Sequence, residues 1–227
     1  MEGAQSTLLV DCAGSPLLKL QEAGIDPARL GYLILTHDHP DHVYGFPILV
    51  LGLWLLRSPR PLQVIGLPEV LRTAHDLLAL FRPQEWPGFR APVYKEVDVA
   101  KNELLLDLPD LVVTGRIAQH LVPSLALRFL NRESGRAVVY SGDTGPSESV
   151  ASLAQGAGAL IHEAAGTLLG HSSAADAGRV AQSAGVNQLV LIHYPAQAGR
   201  LGALLAEARQ HYPGRLDLAR DMESLEF

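Results

Sequence analysis

Residues 36–45 read THDHPDHVYG, and three histidines and two aspartates fall between His37 and His42. A solvated polar turn would account for such a run, and so would a metal centre. The flanks favour the second reading. The run follows YLILT (32–36), an aliphatic stretch that reads as a buried strand, and precedes the apolar run FPILVLGLWLL (46–56), which reads as a buried helix. In an extended segment His37 and His39 project from the same side, while Asp41 and His42 sit where the helix begins. A helix amino terminus favours a carboxylate and keeps an imidazole neutral, the form that binds metal.

A centre of this kind needs ligands from elsewhere in the chain. His120 follows an expected strand at 111–117, Asp143 follows one at 137–141 in SGDTG, and His193 ends one at 188–192 in LVLIHYP. Sites in open α/β sheets form at the carboxyl ends of strands, so these residues are expected to converge with the opening run. Taken singly, Asp143 is an ordinary turn aspartate and His193 a strand-end histidine; their joint order and spacing make them candidate ligands. Seven side chains (His37, His39, Asp41, His42, His120, Asp143 and His193) are too many for one tetrahedral ion and suit two, with Asp143 able to bridge. The donors are nitrogen and oxygen only, because the single cysteine, Cys12, reads as a small core residue. Zinc is the expected ion, with manganese and iron also compatible.

The remainder of the chain supplies a scaffold. Strands are expected at 8–11, 62–66, 124–130 and 159–162, and helices at 68–81, 147–155, 173–184 and 200–210, giving an α/β or α+β fold in one domain without a linker. The segment 81–92, with three prolines and a glycine, reads as a loop, and HSSAAD opens a helix with Ser172 or Ser173 as cap. The formal charge of −6 argues against broad binding to nucleic acid or membranes, but leaves room for a nucleotide substrate at a cleft bearing cations. An acid stands where a signal peptide would carry bases, and the run 46–56 is too short to cross a bilayer, so a cytoplasmic protein is expected.

Through LLVDCAG, THDHPDHVYG, QHLVPSLALRF, SGDTG, LIHEA, GHSSAADAG and LVLIHYP, over most of residues 8–196, the chain resembles the metallo-β-lactamase superfamily, and within it the ribonuclease Z-like branch of phosphodiesterases. The resemblance implies a four-layer αββα sandwich and a hydrolase that uses a metal-bridging hydroxide as nucleophile. It makes His37, His39 and His120 ligands of one ion, Asp41, His42 and His193 ligands of the other, and Asp143 the bridge. Asp41 would also orient or deprotonate the attacking water. His171, oriented by Glu163, would serve the leaving oxygen, and Asp11 would stand behind the metal histidines. Read without the resemblance, a solvated acid at a helix start is the alternative for Glu163.

The sequence departs from the branch in three places. DCAGSPLLKL replaces a glycine- and glutamate-bearing stretch, no insertion suits a transfer-RNA-gripping arm, and the strand that usually precedes LLVD is expected to be missing or replaced. The expected substrate is therefore a small or nucleotide-type diester, not transfer RNA, and a homodimer is the expected assembly. The alternative within the superfamily is a thioesterase or lactonase. Those relatives present the third histidine in a T-P-G-H-like turn, where this chain has AQHLVPS. A di-iron redox protein would carry glutamate in place of His39, and a non-catalytic module would have lost ligands.

Overall fold

Four short strands pair in chain order and all run parallel: β1 (Thr7–Val10), β2 (Leu30–Ile34), β3 (Gln63–Gly66) and β4 (Val93–Glu96). They belong to a computed structural model that describes residues 1, 7–100, 103–195 and 200–227. The chain divides into two compact units, Met1–Asp98 and Val99–Phe227.

In the first unit, parallel pairing demands crossovers, which α1 (Pro16–Glu22), α3 (Phe46–Leu55) and α4 (Pro68–Ala79) supply; α2 (Pro40–Val43) is a single turn. Adjacent residues Leu33 and Ile34, and Val64 and Ile65, are all fully buried, so both faces of the central strands are covered. Each helix has proline in its first turn, where a missing N–H costs nothing. The helix expected to be buried at 46–56 is buried on one face only. Phe46, Leu49, Val50 and Leu53 enter the core, whereas Ile48, Leu51 and Leu55 are exposed. Gly52 lets α1 close on α3, since a β-carbon there would stand 2.6 Å from Leu17 Cδ2.

The second unit holds a seven-stranded sheet in the order β11-β10-β9-β8-β7-β6-β5. Strands β5 (Leu104–Asp107), β6 (Leu111–Ile117), β7 (Leu125–Asn131) and β8 (Ala137–Tyr140) form an antiparallel meander. Beyond β8 the sheet grows by parallel addition of β9 (Ala159–Glu163), β10 (Gln188–Ile192) and β11 (Arg215–Leu218), through helices α5 (Glu148–Ala154), α6 (Ala174–Ala184) and α7 (Leu201–Arg209). Two antiparallel steps bring β6 back to the direction of β8, so β6, β8, β9 and β10 all end at the same edge of the sheet.

The core under these helices is rich in alanine (Ala154, Ala174, Ala177, Ala181, Ala184 and Ala208), and small side chains bring backbones close. Helix α6 starts in a capping box in which Ser173 and Asp176 satisfy each other's backbone N–H groups, and it stops at Gly185 in the left-handed region, φ 68°. The expected cap is therefore found, at Ser173. Short edge strands β4, β5 and β11 and helix α1 were not anticipated from sequence.

Glycine within this helix pair has opposite value at two places. A β-carbon on Gly178 would meet the Ala208 carbonyl oxygen at 2.6 Å, whereas Gly202 in α7 has open space around it. Alanine gains up to ~1 kcal/mol over glycine in a helix. Gly202→Ala is therefore expected to raise the thermal midpoint slightly and Gly178→Ala to lower it, as read by calorimetry.

Candidate metal centre

In the first unit the opening run is anchored by a carboxylate at the end of β1. Asp11 adopts a left-handed backbone, φ 58°, which aspartate tolerates better than most residues. Its Oδ1 accepts from the Thr36 N–H at 2.8 Å and from Thr36 Oγ1 at 3.0 Å. Its Oδ2 accepts from His42 Nδ1 at 2.8 Å. With its proton given to Asp11, the Thr36 hydroxyl accepts from His37 Nδ1 at 3.0 Å. The network thus protonates Nδ1 of both His37 and His42 and makes Nε2 their basic nitrogen.

The basic nitrogens converge. His37 Nε2 lies 3.2 Å from His39 Nδ1, close to the about 3.3 Å expected of two nitrogens on one tetrahedral zinc ion. The His37 and His42 rings are 4.0 Å apart, and Asp41 Oδ2 is 3.6 Å from His42 Nε2. Asp38 turns elsewhere, accepting from Thr73 of α4 at 3.2 Å, and so ties the run to a helix. Cys12 is buried, and burial together with the Asp11 charge pushes its thiol well above the usual range, so it is an inert core residue as expected.

In the second unit the strand-end residues gather at the edge the topology prescribes. Gly142 (φ 60°) turns the chain out of β8 where any β-carbon would stand 2.5 Å from the Leu125 carbonyl oxygen, and Asp143 follows, almost wholly buried. Thr144 Oγ1 accepts from the Gln119 N–H at 3.1 Å, and Gly145 N–H donates to Gln119 O, which binds the turn carrying His120 to the turn carrying Asp143. His120 Nδ1 donates to Gly170 O at 2.7 Å, again making Nε2 the basic nitrogen. His193 follows β10 with φ 49°, its Nδ1 3.3 Å from Asp143 Oδ1.

Glu163 is 0% exposed, which overturns its reading as a solvated acid. Its Oε1 accepts from the Thr144 N–H at 2.8 Å and from His171 Nδ1 at 2.9 Å, and its Oε2 accepts from the Ala165 N–H at 3.1 Å. Asp143, Glu163, His171 and His193 each present a ligand-type atom within 4.8 Å of the others. Nitrogen and carboxylate donors held by hydrogen bonds from behind fit divalent ions. His162, one residue away, is buried on the helix side and donates Nδ1 to Glu163 O at 2.8 Å; burial lowers its pKa and keeps it neutral. The sequence reading missed Thr36 and Thr144, whose hydroxyls link the two ends of each hydrogen-bond chain. Their position beside a candidate ligand was the available signal.

The model of the Beta-lactamase superfamily domain matches residues 7–194. A protein named Ribonuclease Z from Mycobacterium sp. (strain KMS) is 31% identical over 96% of this chain and 85% of its own length. Among solved structures, the metallo-beta-lactamase fold protein YhfI from Bacillus subtilis superposes with a TM-score of 0.78 at 25% identity, covering 97% of this chain and 87% of that one. The short form of human tRNase Z shares the fold, with a TM-score of 0.76 at 21% identity over 98% of this chain and 89% of its own. The chain belongs to the metallo-β-lactamase superfamily of metal-dependent hydrolases, and within it to the ribonuclease Z-like branch. The expected fold and family are both found.

Asp11→Asn presents an amide that cannot accept from both Thr36 and His42, so the tautomer of His42 is no longer fixed. Zinc affinity, read by competition with a chromogenic chelator, is expected to fall about 10- to 100-fold with the fold retained.

Proposed function

We propose that the protein is a phosphodiesterase that works with two divalent ions, zinc by preference for a donor set of imidazoles and carboxylates. The family's pattern supports an arrangement in which His37, His39 and His120 hold one ion, Asp41, His42 and His193 the other, and Asp143 bridges them. Bound ions of this kind supply Lewis acidity and a water acidic enough to attack near neutral pH. The chain's own residues do the rest. Asp41, exposed at the start of α2, orients the attacking water. Asp11 and Thr36 hold His42 and His37 in the tautomer that binds metal.

The observation that carries the reading is the Glu163–His171 pair. A fully buried carboxylate, fixed by two backbone N–H groups, holds Nδ1 of a partly exposed imidazole. That leaves Nε2 of His171 to stabilise charge on, or give a proton to, a departing alkoxide. A thioester's thiolate leaves without such help, so the pair favours diesters over thioesters. The family match crosses both compact units, which supports reading residues 1–227 as one catalytic domain. Relatives named Ribonuclease Z favour a nucleotide-type diester, and a net charge of −6 favours small diesters over transfer RNA. A cytoplasmic homodimer is the assembly we propose. No helix among the described residues is long and apolar enough to cross a membrane.

Zinc- or manganese-loaded protein is expected to hydrolyse bis(p-nitrophenyl) phosphate, and Asp143→Ala to abolish that turnover. His171→Ala should lower kcat for a diester with a poor, alkoxide leaving group by about 10²- to 10⁴-fold, and far less for the p-nitrophenyl substrate, whose leaving group needs no proton. Hydrolysis of thioesters or lactones with no diester turnover, at confirmed metal occupancy, overturns the reading.

A further inference from the structure

The first unit carries a concavity of about 600 Å³ at the end of its strands away from the histidine run. Its walls are the carboxyl end of α3 with the segment leading into β3, and the loop 87–92 that leads into β4. The histidine run follows the carboxyl end of β2. Because β2, β3 and β4 are parallel, the approach to β3 and β4 lies at the other end of the strands. This cleft is therefore separate from the histidine run.

Its charge is out of keeping with the chain. The protein is acidic at −6, yet the charged residues lining the cleft are Arg57, Arg60 and Arg90, and none of the described lining residues is a carboxylate. Among the described residues, neither Arg57 nor Arg60 takes an ion pair. Arg90 spans the walls, its Nη1 donating to Pro59 O at 2.7 Å, and Trp54 Nε1 does the same towards Pro87 O at 3.0 Å. Arg57 sits just past the end of α3 at φ 53°, with Ser58 N–H donating to Leu53 O and Arg57 N–H to Trp54 O. That is a helix stop at which glycine is the unstrained choice. Half-buried aromatic surface completes the lining through Trp54 and Phe89, with Trp86 packed against both at 5.2 Å and 5.4 Å.

Guanidinium groups that recognise phosphate, beside aromatic faces that stack on a base, are the chemistry of nucleotide binding. We infer that this cleft binds a nucleotide through its phosphate and base, at a site apart from the histidine run. The nucleotide is either free or part of a single strand. The inference stands on the cleft alone and holds whatever bond the enzyme cleaves.

Both tryptophans of the chain belong to this cluster, so intrinsic fluorescence reports the cleft selectively. Emission excited at 295 nm is to be followed while adding inorganic phosphate, AMP, or a short oligoadenylate, to wild-type and Asp143→Ala protein. AMP is expected to give a saturable change, equal in both proteins and weakened by salt. Removing the guanidinium groups in Arg57→Gly/Arg60→Ser should weaken it about tenfold or more. Arg57→Gly relaxes the helix stop, so an undiminished melting temperature would show that the loss is of contacts and not of fold. Oligoadenylate binding more tightly than AMP identifies a strand as the ligand, and equal or weaker binding identifies the free nucleotide. Inorganic phosphate binding as tightly as AMP overturns the nucleotide assignment. An absent response, or one unchanged in the arginine variant, overturns the site.

Discussion

The chemistry of the first unit depends on one carboxylate. Asp11 leaves β1 in a left-handed turn and accepts from the Thr36 backbone, the Thr36 hydroxyl and the His42 ring. Those bonds join the end of one strand to the end of the next and fix which nitrogen of two histidines stays basic. Without them His37 and His42 would be two buried imidazoles, each free to take either tautomer. A histidine that is to bind metal needs both place and protonation, and here a single side chain sets the two together.

The second unit solves the same problem by topology. A meander followed by parallel addition sends four strands out at one edge, and each strand end carries a candidate site residue: His120, Asp143, Glu163 and His193. The turns are then cross-linked by polar contacts that are not themselves reactive, through Thr144 to Gln119 and through the Gly170 carbonyl to His120. Glycines at 142 and 170 are required because backbone or ring atoms fill the space of a β-carbon. The cost of a well-aligned centre is thus a set of positions where few residues fit.

What the sequence made legible followed from repetition and period. The histidine run, the aliphatic strands β2, β6 and β10 and the capped helix α6 each carry a pattern strong enough to stand alone. The missed strands share a physical reason. β4, β5 and β11 all lie at sheet edges, are four residues long and mix charge with aliphatics, as VYKE, LLLD and RLDL. Edge strands bury one flank only, so hydrophobic patterning weakens where pairing is still made. The one-sided burial of α3 was equally hidden, because a helix apolar all round gives no phase from which to tell the exposed face. Burial of Glu163 could not be read from HEA, since the N–H groups that stabilise it come from Thr144 and Ala165, one of them distant in sequence.

Two of the proposed participants, Asp11 and His193, hold positive φ angles of 58° and 49°. Their backbones store conformational strain, of order 1 kcal/mol or more each, that the surrounding bonds must hold in place. Truncation to alanine at either position therefore mixes two effects, loss of a functional group and retention of an unfavourable backbone. Glycine removes the same side chain but also the strain, while leaving a freer unfolded chain. The difference between the two substitutions separates what these residues do as donors from what they do as hinges of the chain. A constrained backbone at a proposed ligand position would also restrict how far the site can reshape itself around ions of different radius.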